Sequence, residues 1–155
     1  KADIKWVNDI YISDKKVCGI LTEASFNIET GKLDYAIVGI GINICYPDGG
    51  FPDNINDIAT AVFDSNTDTV NKRSILIAHL LDYFMDYYEN FDKKSYVDEY
   101  IKRSMLIGRR IYIVNGDDKI PVTAKEIDRD CRLKVEYEDG SEKWLSSGEV
   151  SIKIK

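Results

Sequence analysis

The sequence predicts an α+β fold in two parts: a mixed or antiparallel sheet with packed helices over residues 1–105, then a small β-barrel over residues 106–155. Strand-forming runs fill the first 45 residues, and a long amphipathic helical pattern follows them. After Met105 the chain changes to five short strand-like runs separated by tight turns. Its 155 residues are enough for one ordinary domain with a small appendage.

Three strand-like runs open the first part. Ile10-Tyr11-Ile12 leads through a polar turn at 13–16 into the run 17–26, and a second run rich in Ile and Val extends over 34–45. The segment 28–32 between the two long runs contains a glycine, which suits a hairpin loop that requires a positive φ. We therefore expect the two long runs to pair antiparallel.

Helical patterns follow the strands. Asn56 is a candidate N-cap for a short helix through Phe63, and the main helix is predicted over 71–90. Ser95 and Asp98 have the form of a capping box at the start of a last helix. The main helix carries one apolar stripe at spacings of four, three, four and three, which predicts a face turned to the core: Ile77, Leu81, Phe84, Tyr88 and Phe91.

The last 50 residues contain five short runs of strand-forming residues with turn signals between them. The turns include Asn115-Gly116 and Asp139-Gly140, which favour tight hairpins. Five short strands in so few residues are typical of an SH3-like barrel. The predicted strands are 110–114, 120–127, 133–137, 142–145 and 150–154.

Charge and composition exclude several classes of protein. The net charge is −6, and residues 106–155 carry as many acidic as basic side chains, so nucleic-acid binding is not expected. No apolar run approaches the ~20 residues of a membrane span. The chain begins without an apolar signal segment, and its three cysteines are widely spaced, so we expect a reducing cytoplasmic location. With a single histidine, the sequence offers no metal-ligand cluster.

Three stretches carry residues that are unusual for strands. They read Lys-Trp-Val-Asn-Asp at 5–9, Lys-Val-Cys-Gly-Ile-Leu at 16–21 and Gly-Ile-Gly-Ile-Asn at 39–43. Glycine weakens a strand, and one reason for its presence is the close approach of a ligand to the backbone. A bulge or tight packing of a helix on the sheet would explain the same glycines.

In this order and spacing, the three stretches resemble the biotin–protein ligases, which attach biotin to a lysine of a carrier protein. The family pattern is Lys-Trp-Pro-Asn-Asp, then Lys-x-x-Gly-Ile-Leu, then Gly-Ile-Gly-Ile-Asn. The resemblance continues through Ala59-Thr60-Ala61 and the long helix to the segment 147–153. It implies a class II synthetase-like catalytic domain, truncated to its C-terminal part over 1–105, and an SH3-like C-terminal domain over 106–155.

The resemblance also implies a two-step reaction. Biotin and ATP, with Mg²⁺, give biotinyl-5′-AMP, and a lysine amine of a biotin carboxyl carrier protein, from acetyl-CoA carboxylase or a similar enzyme, then takes the biotin. Lys16 is the implied catalytic cation, because a carboxylate and a phosphate repel each other unless positive charge lies between them. Asp9 is the second catalytic candidate. It would accept a proton from the carrier amine, whose pKa is ~10.4, or orient that amine, or help to hold magnesium.

Further residues carry binding roles by resemblance. Glu149 and Lys153 are expected to reach the nucleotide from the small domain. Contacts with biotin or its adenylate are expected from residues in or beside the three stretches: Lys5, Asn8, Lys16, Gly19, Ile20 and Asn43.

The sequence departs from the family pattern at several positions. Val7 replaces a proline, and Cys18 replaces a common alanine. Lys153 replaces an arginine, and a lysine cannot bind phosphate with the bidentate geometry of arginine. The family's arginine- and glycine-rich loop precedes the Lys-Trp segment and is absent from this chain. We therefore expect the isolated chain to bind biotin and ATP weakly and not to biotinylate a carrier, and exposed strand edges would favour a homodimer.

Two other interpretations remain open. Lipoate–protein ligases have a related fold and the same adenylation logic. Alternatively, the chain is a non-catalytic SH3-like binding module in which Tyr112, Tyr137 and Trp144 line a peptide groove.

Overall fold

The computed structural model describes residues 1–64 and 70–152. Contacts between residues divide the chain into unit 1, Lys1–Ala2 with Asn8–Val70, and unit 2, Asp3–Val7 with Asn71–Lys155. The α-helices are α1, Val70–Glu89, and α2, Tyr96–Arg103, and a short 3-10 helix spans Phe91–Lys93. The strands are β1 Asp3–Lys5, β2 Asp9–Ile12, β3 Lys15–Phe26, β4 Leu33–Ile42, β5 Arg110–Asn115, β6 Asp118–Ile127, β7 Leu133–Tyr137, β8 Glu142–Leu145 and β9 Glu149–Ile152. The predicted α+β class is confirmed. The domain division at residue 105 follows the change in sequence character and stays a prediction.

Unit 1 contains the antiparallel sheet β2–β3–β4. β3 and β4 pair from Cys18 opposite Ile42 onward, which confirms the predicted hairpin. The loop between them contains Gly31 at φ +65°. The side chain of Asn27 accepts hydrogen bonds from the N–H groups of Glu29 and Thr30 at 3.0 and 2.9 Å and so stabilises the turn. β4 ends three residues before the predicted end.

A β-bulge interrupts the pairing of β2 with β3. Ile10 pairs with Cys18, whereas Tyr11 pairs with Lys16, so Val17 is an extra residue in β3. A bulge breaks the strict alternation of side chains and turns one residue toward the face of its neighbours. This bulge brings Lys16 to the same side of β3 as Gly19.

The prediction of a short helix after Asn56 is wrong. Ala59 instead forms a parallel bridge with Lys16, and Phe63 forms one with Cys45. The N–H of Lys16 donates to the carbonyl of Ile58 at 2.8 Å, and the N–H of Thr60 donates to the carbonyl of Lys16 at 2.9 Å. Pairing with distant strands therefore outweighs the local helical propensity of this alanine-containing segment.

Unit 2 contains the five predicted barrel strands. They form an antiparallel sheet in the order β8–β7–β6–β5–β9. β9 begins one residue before the predicted start. The inward-facing side chains alternate along the strands and are fully or almost fully buried: Ile111, Val122, Ala124, Leu133, Val135 and Val150.

The N-terminal segment of unit 2 packs with α2 and the barrel. The indole of Trp6 is buried, and its Nε1–H donates to the carbonyl of Cys131 at 2.8 Å. The hydroxyl of Tyr100 donates to the carbonyl of Val7 at 2.9 Å. α2 begins close to the predicted position, but Ser95 has helical dihedrals and its side chain makes no capping bond, so the capping-box prediction is wrong.

Helix α1 matches its predicted bounds within one residue, but its apolar stripe does not face a core. The five stripe residues are between 41% exposed, at Phe84, and 67% exposed, at Tyr88. An amphipathic pattern specifies that a face is apolar but not what covers it. Among the described residues, no helix combines the length and the apolar character that crossing a membrane requires.

Candidate functional site

A cavity of about 420 Å³ lies within unit 1 against the β2–β3–β4 sheet. Its wall comes from Tyr11 on β2, residues 16–19 on β3, residues 41–43 at the end of β4, and three loop residues: Ile55, Ile58 and Ala59. Two of the three unusual stretches of the sequence therefore meet in one cavity. Its volume and its largely apolar wall with a few polar groups are typical of small-molecule sites.

The floor of the cavity is backbone. Gly19 of β3 pairs directly with Gly41 of β4, so neither residue covers the sheet with a side chain. A ligand can approach main-chain atoms closely at such a place. This arrangement is the one that the strand glycines led us to expect.

A charged pair stands beside this floor. Nζ of Lys16 lies 2.6 Å from Oδ1 of Asp9, and the two side chains are 44% and 19% exposed. Asp9 pairs with Gly19 across the β2–β3 ladder, which places its carboxylate over the glycine. An ion pair this exposed contributes little to stability. Its position at a cavity is therefore better explained by a role in ligand binding or catalysis than by a contribution to folding stability.

Asn8 and Ile20 are joined to each other. The side-chain Nδ2–H of Asn8 donates to the carbonyl of Ile20, and the N–H of Ile20 donates to the carbonyl of Asn8 at 2.9 Å. These bonds fix the start of β2 against β3. Neither residue is among those that line the cavity.

Asn43 lines the cavity and also holds its wall together. Its Nδ2–H donates to the carbonyl of Thr60 at 3.0 Å, and its backbone N–H donates to the carbonyl of Val17 at 2.9 Å. The hydroxyls of Thr60 and Tyr46 lie 2.8 Å apart and extend this network.

Three predicted binding residues lie outside unit 1 or outside the described residues. Lys5 ends β1 in unit 2 and is half-buried. The backbone of Glu149 begins β9 and pairs with Val114. Lys153 lies outside the described residues. Their roles stay predictions.

Tyr11 and Cys18 line the cavity but were not among the predicted site residues. Burial and the Asp9 carboxylate both raise the pKa of the Tyr11 hydroxyl. Burial raises the pKa of the Cys18 thiol and Asp9 raises it further, against an opposing effect of Lys16. Cys18 therefore stays a thiol and is not an activated nucleophile. Tyr11 lies two residues after Asp9 on β2, and this same-face spacing is the signal that could have identified it.

Sequence profiles of two families match the chain. The Biotin/lipoate A/B protein ligase family matches residues 1–43, and the Biotin protein ligase C terminal domain matches residues 106–153. The first match contains all three unusual stretches, and the second contains the five barrel strands up to residue 153. The C-terminal part is therefore of the predicted SH3-like type.

Curated relatives give the same result. The bifunctional ligase/repressor BirA of Bacillus spizizenii is 37% identical over 91 residues, which cover 59% of this chain and 27% of that protein. The bifunctional ligase/repressor BirA of Escherichia coli is 25% identical over 162 aligned positions, which cover 99% of this chain and 47% of that protein. The chain thus spans less than half the length of these relatives.

Solved structures share the fold over nearly the whole chain. A biotin protein ligase from Aquifex aeolicus in complex with biotin and ATP is 26% identical with a TM-score of 0.73, and the match covers 99% of this chain and 62% of that one. The apo structure of the Aquifex aeolicus ligase gives a TM-score of 0.75 at 25% identity and covers 99% and 66% of the two chains.

Proposed function

Because the chain belongs to the biotin–protein ligase family, we propose that the protein containing it joins biotin to ATP and transfers the biotin to a carrier lysine. In the first step a carboxylate oxygen of biotin attacks the α-phosphorus of ATP. Biotinyl-5′-AMP forms and pyrophosphate leaves. In the second step the lysine amine attacks the acyl carbon, AMP leaves, and the amine loses a proton.

The observation that carries this proposal is the position of the Lys16 ammonium beside the backbone floor of the cavity. Biotin has an apolar ring system and a carboxylate, and it would lie on the floor formed by Gly19 and Gly41. The carboxylate and the α-phosphate then meet near Lys16. A fixed positive charge there lowers the repulsion between the two anions as they approach the transition state.

Asp9 is assigned to the second step or to the positioning of Lys16. Its Oδ1 already lies 2.6 Å from an ammonium, and a single carboxylate in that situation is a poor basis for a magnesium site. No group of three or more His, Cys, Asp or Glu residues that could hold a metal ion occurs in the described ranges. Magnesium would therefore enter with ATP, held mainly by the phosphates.

Other parts of the proposal come from the family. Lys5, Asn8 and Asn43 would contact biotin or its adenylate, and Glu149 and Lys153 would reach the nucleotide. The carrier would be a biotin carboxyl carrier protein of acetyl-CoA carboxylase or a similar enzyme. We also propose that the protein forms a homodimer and is located in the cytoplasm.

Lipoate is the alternative substrate. The profile that matches residues 1–43 covers both biotin and lipoate ligases, whereas the profile that matches residues 106–153 is specific to biotin protein ligases. The C-terminal match therefore favours biotin. Equilibrium binding of labelled biotin and labelled lipoate by the complete gene product would separate the two, and binding of neither would favour the non-catalytic module.

The test of the proposal is the rate of pyrophosphate release by the complete gene product with biotin and magnesium-ATP. We expect Lys16→Ala to lower this rate by about 100-fold to 1,000-fold, the usual effect of removing one preorganised electrostatic group. Lys15→Ala is the matched control, because the Nζ of that neighbouring lysine donates to the Asn56 carbonyl at 3.1 Å and not to Asp9. Biotin-independent pyrophosphate release, or a normal rate in Lys16→Ala, would overturn the proposal.

A further inference from the structure

The place of Gly19 in the sheet is not explained by its backbone conformation. Gly19 lies in the middle of β3, opposite Asp9 on one side and Gly41 on the other, and it is not among the glycines with positive φ. Any L-residue can adopt such an extended backbone. A glycine here weakens the strand, so the reason for it must lie in the space around it.

That space is occupied by the Lys16 side chain. A Cβ placed on Gly19 would lie 3.1 Å from both Cε and Nζ of Lys16, and 3.4 Å from Oδ1 of Asp9. The first two distances are shorter than ordinary van der Waals contacts, whereas the third is ordinary. The bulge at Val17 turns Lys16 onto this face, and the lysine then folds back over the glycine to reach Asp9.

We propose that Gly19 is a positioning residue for the catalytic cation: the missing Cβ leaves the space in which the Lys16 ammonium is held against Asp9. This inference rests on the proposed function and deepens it, because it assigns the glycine to the lysine as well as to the approach of biotin. Asp9 and Gly19 together form the seat of the ammonium, the first through charge and the second through empty space.

The contact predicts an unusual combination of effects for Gly19→Ala. The atoms nearest to the new methyl group are the far end of a flexible side chain, so the lysine moves and the backbone does not. Replacing a strand glycine also removes part of its entropic cost of folding. The variant should therefore be at least as stable as the wild type while its ammonium is displaced.

Gly39 provides a matched control on the paired strand. A Cβ on Gly39 would meet only the carbonyl oxygen of Leu21 within 4 Å, at 3.6 Å, which is an ordinary contact. Gly39→Ala makes the same chemical change in the same hairpin without touching Lys16. It should leave the position and the amine reactivity of Lys16 unchanged.

The experiment measures kcat and KM for adenylate formation in the complete gene product, together with the melting temperature. We expect Gly19→Ala to lower kcat by about 10-fold, less than the ~100-fold effect of a misplacement by about 1 Å, because the ammonium has to shift by only a few tenths of an ångström. At saturating biotin, the kcat of the double variant Lys16→Ala/Gly19→Ala should be no lower than that of Lys16→Ala alone, because the group that Gly19 positions is already gone, whereas hindered approach of biotin to the floor would appear in KM. A wild-type kcat in Gly19→Ala, or a kcat of the double variant well below that of Lys16→Ala, would overturn the inference.

Two further measurements distinguish a failure of the inference from a failure of folding and from a failure of the proposed function. If Gly19→Ala does not fold but the double variant does, the clash with Lys16 is demonstrated; if neither folds, Gly19 serves the fold and the inference is wrong. Acylation of Lys16 by a small amine-reactive reagent is measured by mass spectrometry relative to Lys15. Its rate reports whether the Lys16 ammonium is held against Asp9, and it requires no enzymatic activity. Faster acylation of Lys16 in Gly19→Ala would support the inference even if the wild type formed no adenylate, which would refute only the proposed function.

Discussion

The side-chain amide of Asn43 donates to the carbonyl of Thr60, and the N–H of Thr60 donates to the carbonyl of Lys16. These two bonds, of 3.0 and 2.9 Å, link the residue after β4 to the backbone that carries the candidate catalytic lysine. Asn43 thus acts on Lys16 through a single intervening residue. Its position in the Gly-Ile-Gly-Ile-Asn stretch has a structural explanation besides any contact with a ligand.

We expect Asn43→Ala to destabilise the protein by about 0.5–1.5 kcal/mol, the usual net value of one hydrogen bond. The measurement is the urea dependence of unfolding. Thr60→Val is an informative companion, because it removes the hydroxyl that contacts Tyr46 and keeps the carbonyl that Asn43 uses. An unchanged unfolding midpoint in Asn43→Ala would show that the bond to Thr60 does not hold the cavity wall.

Asp9→Asn should separate the two half-reactions. The substitution keeps the shape of the side chain and removes its charge and basicity. If Asp9 serves the carrier amine, transfer from preformed biotinyl-5′-AMP should slow by about 100-fold or more, as for loss of a general base, while adenylate formation is less affected. Both rates are measured in single turnover, with Asp34→Asn on exposed β4 as the control. A larger effect on adenylate formation would assign Asp9 to the positioning of Lys16 and not to the carrier amine, and two normal rates would remove Asp9 from the site.

The two tryptophans should differ sharply in their contribution to stability. Trp6 is 2% exposed and bonded to the Cys131 carbonyl, whereas Trp144 is 37% exposed. Trp6→Phe leaves that carbonyl without its partner and should cost about 1–3 kcal/mol. Trp144→Phe should stay within about 0.5 kcal/mol of the wild type, as surface substitutions do. Thermal unfolding followed by circular dichroism would test this, and equal effects of the two substitutions would contradict it.

Asp128 should contribute an acid-sensitive part of the stability of unit 2. Burial raises the pKa of Asp128, but the N–H and guanidinium of Arg132 and the N–H of Asp130 lower it by more, so the net pKa is below its ordinary value of 3.8. A carboxyl with a lowered pKa stabilises the fold above the unfolded-state pKa, and this stabilisation is lost as the pH falls through the folded-state pKa.

We therefore expect the melting temperature of the wild type to fall between about pH 5 and about pH 3, and to fall less steeply in Asp128→Asn. Differential scanning calorimetry across this range is the measurement. Asp48→Asn, in an exposed loop of unit 1, is the matched control. Parallel pH profiles for Asp128→Asn and the wild type would contradict the prediction.

The sequence predicted those elements whose signals are local. The β3–β4 hairpin and the five barrel strands follow from alternating apolar residues and turn glycines, and all of them are present. The segment after Asn56 was predicted wrongly, because its structure depends on pairing with Lys16 and Cys45, more than 15 residues away in the chain. No local sequence pattern predicts such a bridge.

In the candidate site, too, the sequence predicted features that depend on local motifs and missed those that depend on long-range contacts. The motifs identified Lys16 and Asp9 as a pair of candidates, and the structure places them 2.6 Å apart. The strand glycines offered a bulge as one explanation but did not place it at Val17, since the position of a bulge is a property of two paired strands. It also gave no reason to expect that the amide of Asn8 would bond to Ile20.

The burial of Trp6 gives unit 2 a built-in optical reporter. In a Trp144→Phe variant of the 155-residue chain, all indole fluorescence would come from one buried side chain, which donates to the carbonyl of Cys131. Its emission would lie at short wavelength in the folded state and shift to the red when water reaches the ring. One emission spectrum of each variant of the chain would then record whether its unit 2 is folded.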